Sequence, residues 1–172
     1  TLIEFYTSYE QAMKLLGNSM YGGSSHISFF WFNMGLANDI TGEARNVIHL
    51  MENHIPEYLR ENWPYMKDVH KSLGIKVDPE KAERILRESG KKSFVDVIYG
   101  DTDSLYISYE TLVKTIDDYE KLTPAQRGDI VVRFNTGYLD AHNREIMAKH
   151  YSDRHVHSVQ NFELETLALS GV

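Results

Sequence analysis

The sequence has no cysteine among its 172 residues. Disulfides and thiolate zinc centres are therefore excluded, and nothing in it demands an oxidising compartment. It has no apolar run long enough to span a bilayer. It has no basic leader either, because Thr1-Leu2-Ile3-Glu4-Phe5 is acidic, and that excludes a secretory signal at this end. It opens on Thr1 rather than Met, as expected of a piece of a longer chain. Internal repeats and low-complexity linkers are also absent. Positive charge is scarce: 18 Lys and Arg face 25 Asp and Glu, for a net charge of −7. An autonomous nucleic-acid binder usually carries a basic surface, so this balance counts against one. It leaves room for a role inside a larger complex whose other parts are basic. What the sequence does have is 42% hydrophobic residues, enough for a packed core in one ordinary domain.

The hydrophobic pattern predicts an α+β layout. Leu2, Tyr6, Tyr9, Met13, Leu16 and Met20 recur at helical spacing, so residues 3–21 should form a helix. Gly22-Gly23-Ser24-Ser25 should break it. Residues 27–32 read as a short β-like or buried turn. A long helix is expected from about residue 34 to 62, stopped by Pro64, with Ile40, Val47, Ile48, Met51, Ile55 and Leu59 as its buried stripe. Residues from about 64 to 90 look like a helical insert. Its second helix starts at Asp78-Pro79-Glu80, with Asp as N-cap and Pro in the first turn. Residues 94–99 and 104–109 should be two strands joined by a Gly100-Asp101-Thr102-Asp103 turn, a hairpin over 94–109. Thr123-Pro124-Ala125-Gln126 reads as a capping box opening a helix to about residue 151. Residues 155–169 read best as a final strand region.

The hairpin carries the sharpest chemistry. Asp101 and Asp103 are separated by one residue, and alternate residues of an extended segment share a face. Two converging carboxylates repel unless a cation sits near them. Mg²⁺ or Mn²⁺ suits the pair, since Mg²⁺ takes hard oxygen ligands and prefers few protein carboxylates plus substrate phosphates. Alone, a Gly-Asp-Thr-Asp turn is more often only a turn. Leu105 at the fifth loop position and the lack of Gly at the sixth count against an EF-hand.

A second signal lies in the first helix. Lys14, Asn18 and Tyr21 are spaced four and three apart, on one helical face. A cation, an amide donor and an aromatic ring on one stripe suit a nucleotide. Gly22 would let a substrate or another backbone come close. Taken singly, this stripe is more often a solvated Lys and Asn beside a core Tyr.

Together the two signals resemble the family B DNA polymerases. Lys14, Asn18, Ser19, Tyr21 and Gly22 match the Lys-x-x-x-Asn-Ser-x-Tyr-Gly pattern of motif B. Tyr99-Gly100-Asp101-Thr102-Asp103-Ser104 matches motif C throughout. Phe162-Glu163-Leu164-Glu165 is similar to the acidic strand that follows motif C. Ile40-Thr41-Gly42-Glu43-Ala44-Arg45 is similar to a helix between the motifs, although the family usually has Gly where Ala44 stands. The compact spacing is reminiscent of phage-type members.

The resemblance implies a polymerase palm-like antiparallel sheet with packed helices, plus a fingers helix at the N-terminus. Residues 1–23 would be the fingers helix and residues 24–172 the palm segment. It implies that Asp103 bridges two catalytic metals, with Asp101 beside it. Lys14 and Asn18 would hold the incoming triphosphate. Tyr21 would stand near the nascent base pair, and Glu165 and Ser104 would lie just outside the metal ligands. The implied reaction is nucleotidyl transfer from a dNTP to a primer 3′-end, with Mg²⁺ or Mn²⁺ as cofactor and primer–template DNA as partner. The expected location is intracellular, at the site of DNA replication. The family's Asp-x-x-Ser-Leu-Tyr-Pro and Lys-Lys-Arg-Tyr motifs are not among these residues, nor are an exonuclease domain or a thumb. The chain is therefore expected to be inactive alone and to need the remaining polymerase segments. The alternative is a non-catalytic remnant of the fold that binds nucleotide, metal or a protein partner.

Overall fold

A computed structural model describes residues 2–101, 103–154 and 162–168. The chain divides into two compact units, residues 1–46 and 47–172, with the division falling inside one long helix.

The first unit holds α1 (Leu2–Ser25), a turn region and the start of α2 (Met34–Asn62). The glycines do not end α1 at residue 21; the helix continues to Ser25. Ser24 and Ser25 fold their hydroxyls back onto the carbonyls of Tyr21 and Gly22, which supports the last turn. Gly23 has a packing role: a Cβ there would lie 2.1 Å from Nε1 of Trp31, so only Gly lets that ring lie on the helix. Residues 27–32 form exposed turns, neither strand nor buried, and Phe29, Phe30 and Trp31 cluster on one another. Asn33 starts α2 by accepting from the Leu36 N–H at 3.1 Å. The apolar stripe on α1 forms as spaced, but its residues are exposed.

The second unit contains the core. The predicted stripe on α2 is buried at Val47, Ile48, Met51, Ile55 and Leu59, whereas Ile40, in the first unit, is 46% exposed. After α2 a short 3₁₀ turn (Trp63–Tyr65) leads to α3 (Lys67–Leu73) and α4 (Pro79–Ser89). Asp78 caps α4 by accepting from the Glu80 N–H at 3.0 Å, and Gly90 closes it in the left-handed conformation. Trp63, fully buried, donates its indole N–H to Thr115 Oγ1 at 2.8 Å. Phe134 packs edge-on against its ring, and Phe94, Leu112, Ile116, Leu139 and Met147 are buried in the same core.

Strands β1 (Asp96–Gly100) and β2 (Leu105–Ser108) pair antiparallel, from Asp96 opposite Ser108 to Gly100 opposite Leu105. Among the described residues the sheet has only these two strands. α5 (Glu110–Lys114) follows. The Thr123 capping box is present in full, with Gln126 Oε1 accepting from the Thr123 N–H at 2.8 Å. The helix it opens runs to Ser152, as α6 (Pro124–Phe134), a π-helical turn (Asn135–Leu139) and α7 (Asp140–Ser152). The π turn carries buried Asn135, which donates to the Val131 carbonyl and accepts from the Tyr109 hydroxyl, each at 2.8 Å. Residues 162–168 are irregular rather than strand, which corrects the expected final strand there; its parts at 155–161 and 169 lie outside the described residues.

Candidate nucleotide and metal site

The motif C hairpin is held both at its turn and at its base. The Asp101 N–H donates to the Ser104 carbonyl at 2.9 Å, closing the loop between the strands. Gly100 lies so close to its neighbours that a Cβ would meet Leu105 Cδ2 at 3.2 Å and Ile48 Cγ2 at 3.5 Å. The turn therefore lies against Ile48 of α2, and a side chain at residue 100 would crowd Leu105 across the hairpin while only touching Ile48. At the far end of β1, Lys91 pairs with Asp96 at 2.5 Å. The entry to the hairpin is tied to α2 as well, because Ser93 donates to the Pro56 carbonyl at 2.6 Å.

A register irregularity between Val97 and Tyr99 sets what the hairpin presents. One extra residue, Ile98, is inserted there, and such a bulge re-aims the side chains that follow. Ile98, Tyr99 and Tyr106 are left exposed, with the two Tyr rings 5.6 Å apart. Asp101 and Asp103 are both exposed at the turn and Ser104 is half-buried; Thr102 lies outside the described residues.

The donor set fits a hard divalent cation. Two exposed aspartates supply carboxylate oxygens, and Mg²⁺ commonly takes one or two carboxylates and completes its shell with water and phosphate oxygens. Among the described residues no three His, Asp or Glu side chains gather closely enough to hold a metal by themselves. Glu163 and Glu165 are exposed on the irregular segment and are not gathered with the turn.

Lys14, Asn18, Tyr21 and Gly22 all lie on α1, where the helix puts the first three on one face. Lys14 is exposed and pairs with Glu10 at 2.7 Å, one turn earlier. The Lys14 ammonium holds the Glu10 carboxyl below its ordinary range. A Cβ at Gly22 would meet nothing, so the helix surface there is open.

Two residues absent from the sequence reading position the acidic segment. Asp140 Oδ1 accepts from the Leu164 N–H, and Asn143 Nδ2 donates to the Phe162 carbonyl, both at 3.3 Å. Both side chains are buried, and burial raises the Asp140 carboxyl above its ordinary range despite the Leu164 bond. The three-residue spacing of two polar groups on a helix was the only available sign of this role.

The sequence model described as DNA polymerase family B matches residues 2–130. No curated protein and no solved structure matches the chain.

Proposed function

The chain belongs to DNA polymerase family B, and we propose that it is the fingers-helix and palm segment of such an enzyme, acting in template-directed nucleotidyl transfer. The single observation that carries this is the motif C turn: Asp101 and Asp103, closed by the Asp101–Ser104 bond, in one chain with the Lys14–Gly22 helix. In this reading residues 1–23 are the fingers helix and residues 24–172 the palm, whose sheet is completed by other strands.

Asp103 and Asp101 would hold a divalent cation, Mg²⁺ or Mn²⁺. When bound, such an ion supplies Lewis acidity at phosphate oxygens. In the transfer itself the primer 3′-oxygen bonds to the α-phosphorus and the bond to the β-phosphate oxygen breaks, releasing pyrophosphate. Lys14 meets the triphosphate charge, and Asn18 donates to a phosphate oxygen. Tyr21 packs beside the nascent base pair on its minor-groove side, and Gly22 leaves room for that approach. Ser104 stands beside the carboxylate pair and adjusts its surroundings; Glu165, expected there as well, is not gathered with the turn. Primer–template DNA and a dNTP are the partners, together with segments that supply the other essential aspartate and the thumb.

The cation assignment is tested by Mn²⁺ titration of the 172-residue chain, followed by NMR. Weak binding should broaden the amide signals of residues 100–104, and Asp103→Asn should abolish the effect. Broadening centred on another acidic cluster would mean that the turn does not hold the ion.

A further inference from the structure

We propose that His54 and His142 form an acid-labile latch between α2 and α7. Their Nε2 atoms lie 2.8 Å apart although 88 residues separate them in sequence. The rings are nearly parallel, and Tyr58 stacks on His142 with centroids 3.7 Å apart. At this separation one ring must donate its Nε2–H and the other must accept with its Nε2 lone pair.

The response to acid follows from that arrangement. A first proton enters on Nδ1 of the donor ring and leaves the Nε2–H···Nε2 bond intact. A second must take the acceptor's Nε2 lone pair. That would set two N–H groups and two positive charges against each other at 2.8 Å, and the contact breaks. The charged groups facing the pair are Glu57 on α2 and Glu145 on α7, and both favour the protonated rings. Burial outweighs them: it holds both imidazoles below their ordinary range, and the His54 charge lowers His142 further. The unfolded chain thus binds more protons than the folded one just below pH 6.5, the ordinary His value. The pair's contribution to stability is complete above about pH 6.5 and is lost as pH falls below it.

The latch sits where it can matter. Asp140 and Asn143, on either side of His142, hold the 162–164 segment, while α2 carries Ile48 under the motif C turn. Opening it would release the segment bearing Glu163 and Glu165 from the body that holds Asp101 and Asp103. Only this last consequence rests on the polymerase reading; the latch itself does not.

The test follows the ring signals of His54 and His142 by NMR across pH 8 to 4.5, and runs a double-mutant cycle. Urea unfolding of wild type, His54→Gln, His142→Gln and the double variant would be compared at pH 7.5 and pH 5. The two rings should titrate as a coupled pair, in two steps below pH 6.5. The coupling should favour the native pair by about three- to fivefold in the unfolding constant at pH 7.5, as for a half-buried hydrogen bond. It should vanish or reverse at pH 5. Independent titrations near pH 6.5, or a coupling equal at both pH values, would overturn the latch. If a Gln variant does not fold, the wild-type ring titration decides alone. Neither readout involves Mn²⁺ or primer extension, so failure here and failure of the polymerase reading are told apart.

Discussion

At the residue scale, the role proposed for Lys14 has to compete with its ion pair to Glu10. The Lys14–Glu10 pair is exposed, and such pairs contribute little to stability. A triphosphate can therefore compete for the ammonium. In the polymerase completed by its other segments, Lys14→Ala should lower kcat/KM for the dNTP by roughly ten- to a hundredfold, the loss of a charge-assisted phosphate contact of about 1.5–3 kcal/mol. Primer–template affinity should be unchanged, and steady-state kinetics beside a DNA-binding titration separates the two. Loss of DNA affinity with an unaltered nucleotide response would assign the helix to another ligand. The turn bearing Asp101 and Asp103 and the helix bearing Lys14 were legible because turn chemistry and helical spacing act over a few residues. Asp140, Asn143, His54 and His142 were not, since each finds its partner through contacts distant in sequence.

At the element scale, local signals set the starts of α4 and α6. Asp78 and Thr123 cap α4 and α6 as their sequences predict. Thr123→Ala removes the acceptor for the Gln126 N–H and should cost about 0.5–2 kcal/mol, whereas Thr123→Ser should keep most of it. Urea unfolding reads this as a shifted midpoint at constant slope. Helix ends and interiors were less legible. Gly22 and Gly23 carry a breaking propensity, yet a Gly in a helix costs only about 1 kcal/mol, and the packing of Trp31 on Gly23 favours continuing the helix. The π turn at Asn135–Leu139 has no local signature; it accompanies a buried Asn that meets Tyr109 from another element.

On the scale of the whole molecule, the hairpin is the feature that calls for something more. A two-stranded sheet is marginal by itself, and here it leaves Ile98, 71% exposed, beside Tyr99 and Tyr106. In the proposed reading its Asp101 and Asp103 would approach a cation from one hairpin only, and in-line phosphoryl transfer depends heavily on positioning. Primer extension with Mg²⁺ should thus be absent for this chain alone and for the complementary segments alone. It should return in a mixture that supplies the aspartate of the Asp-x-x-Ser-Leu-Tyr-Pro segment and the thumb. Robust extension by this chain alone would place the second carboxylate within it, with Glu163 and Glu165 the first to be replaced.

The sequence by itself determined the long α2 helix with its buried Val47–Leu59 stripe, the hairpin with Asp101 and Asp103 at its turn, the capped starts of α4 and α6, and the family. Each of these is written in periodicity, capping or a short motif, which depend on neighbours a few residues apart. Tertiary structure alone decided that α1 passes through its glycines, that Ile98 bulges from β1, that residues 162–168 leave the strand conformation, and that His54 meets His142. Those outcomes depend on which surfaces come together, and packing partners distant along the chain leave no local periodicity to read.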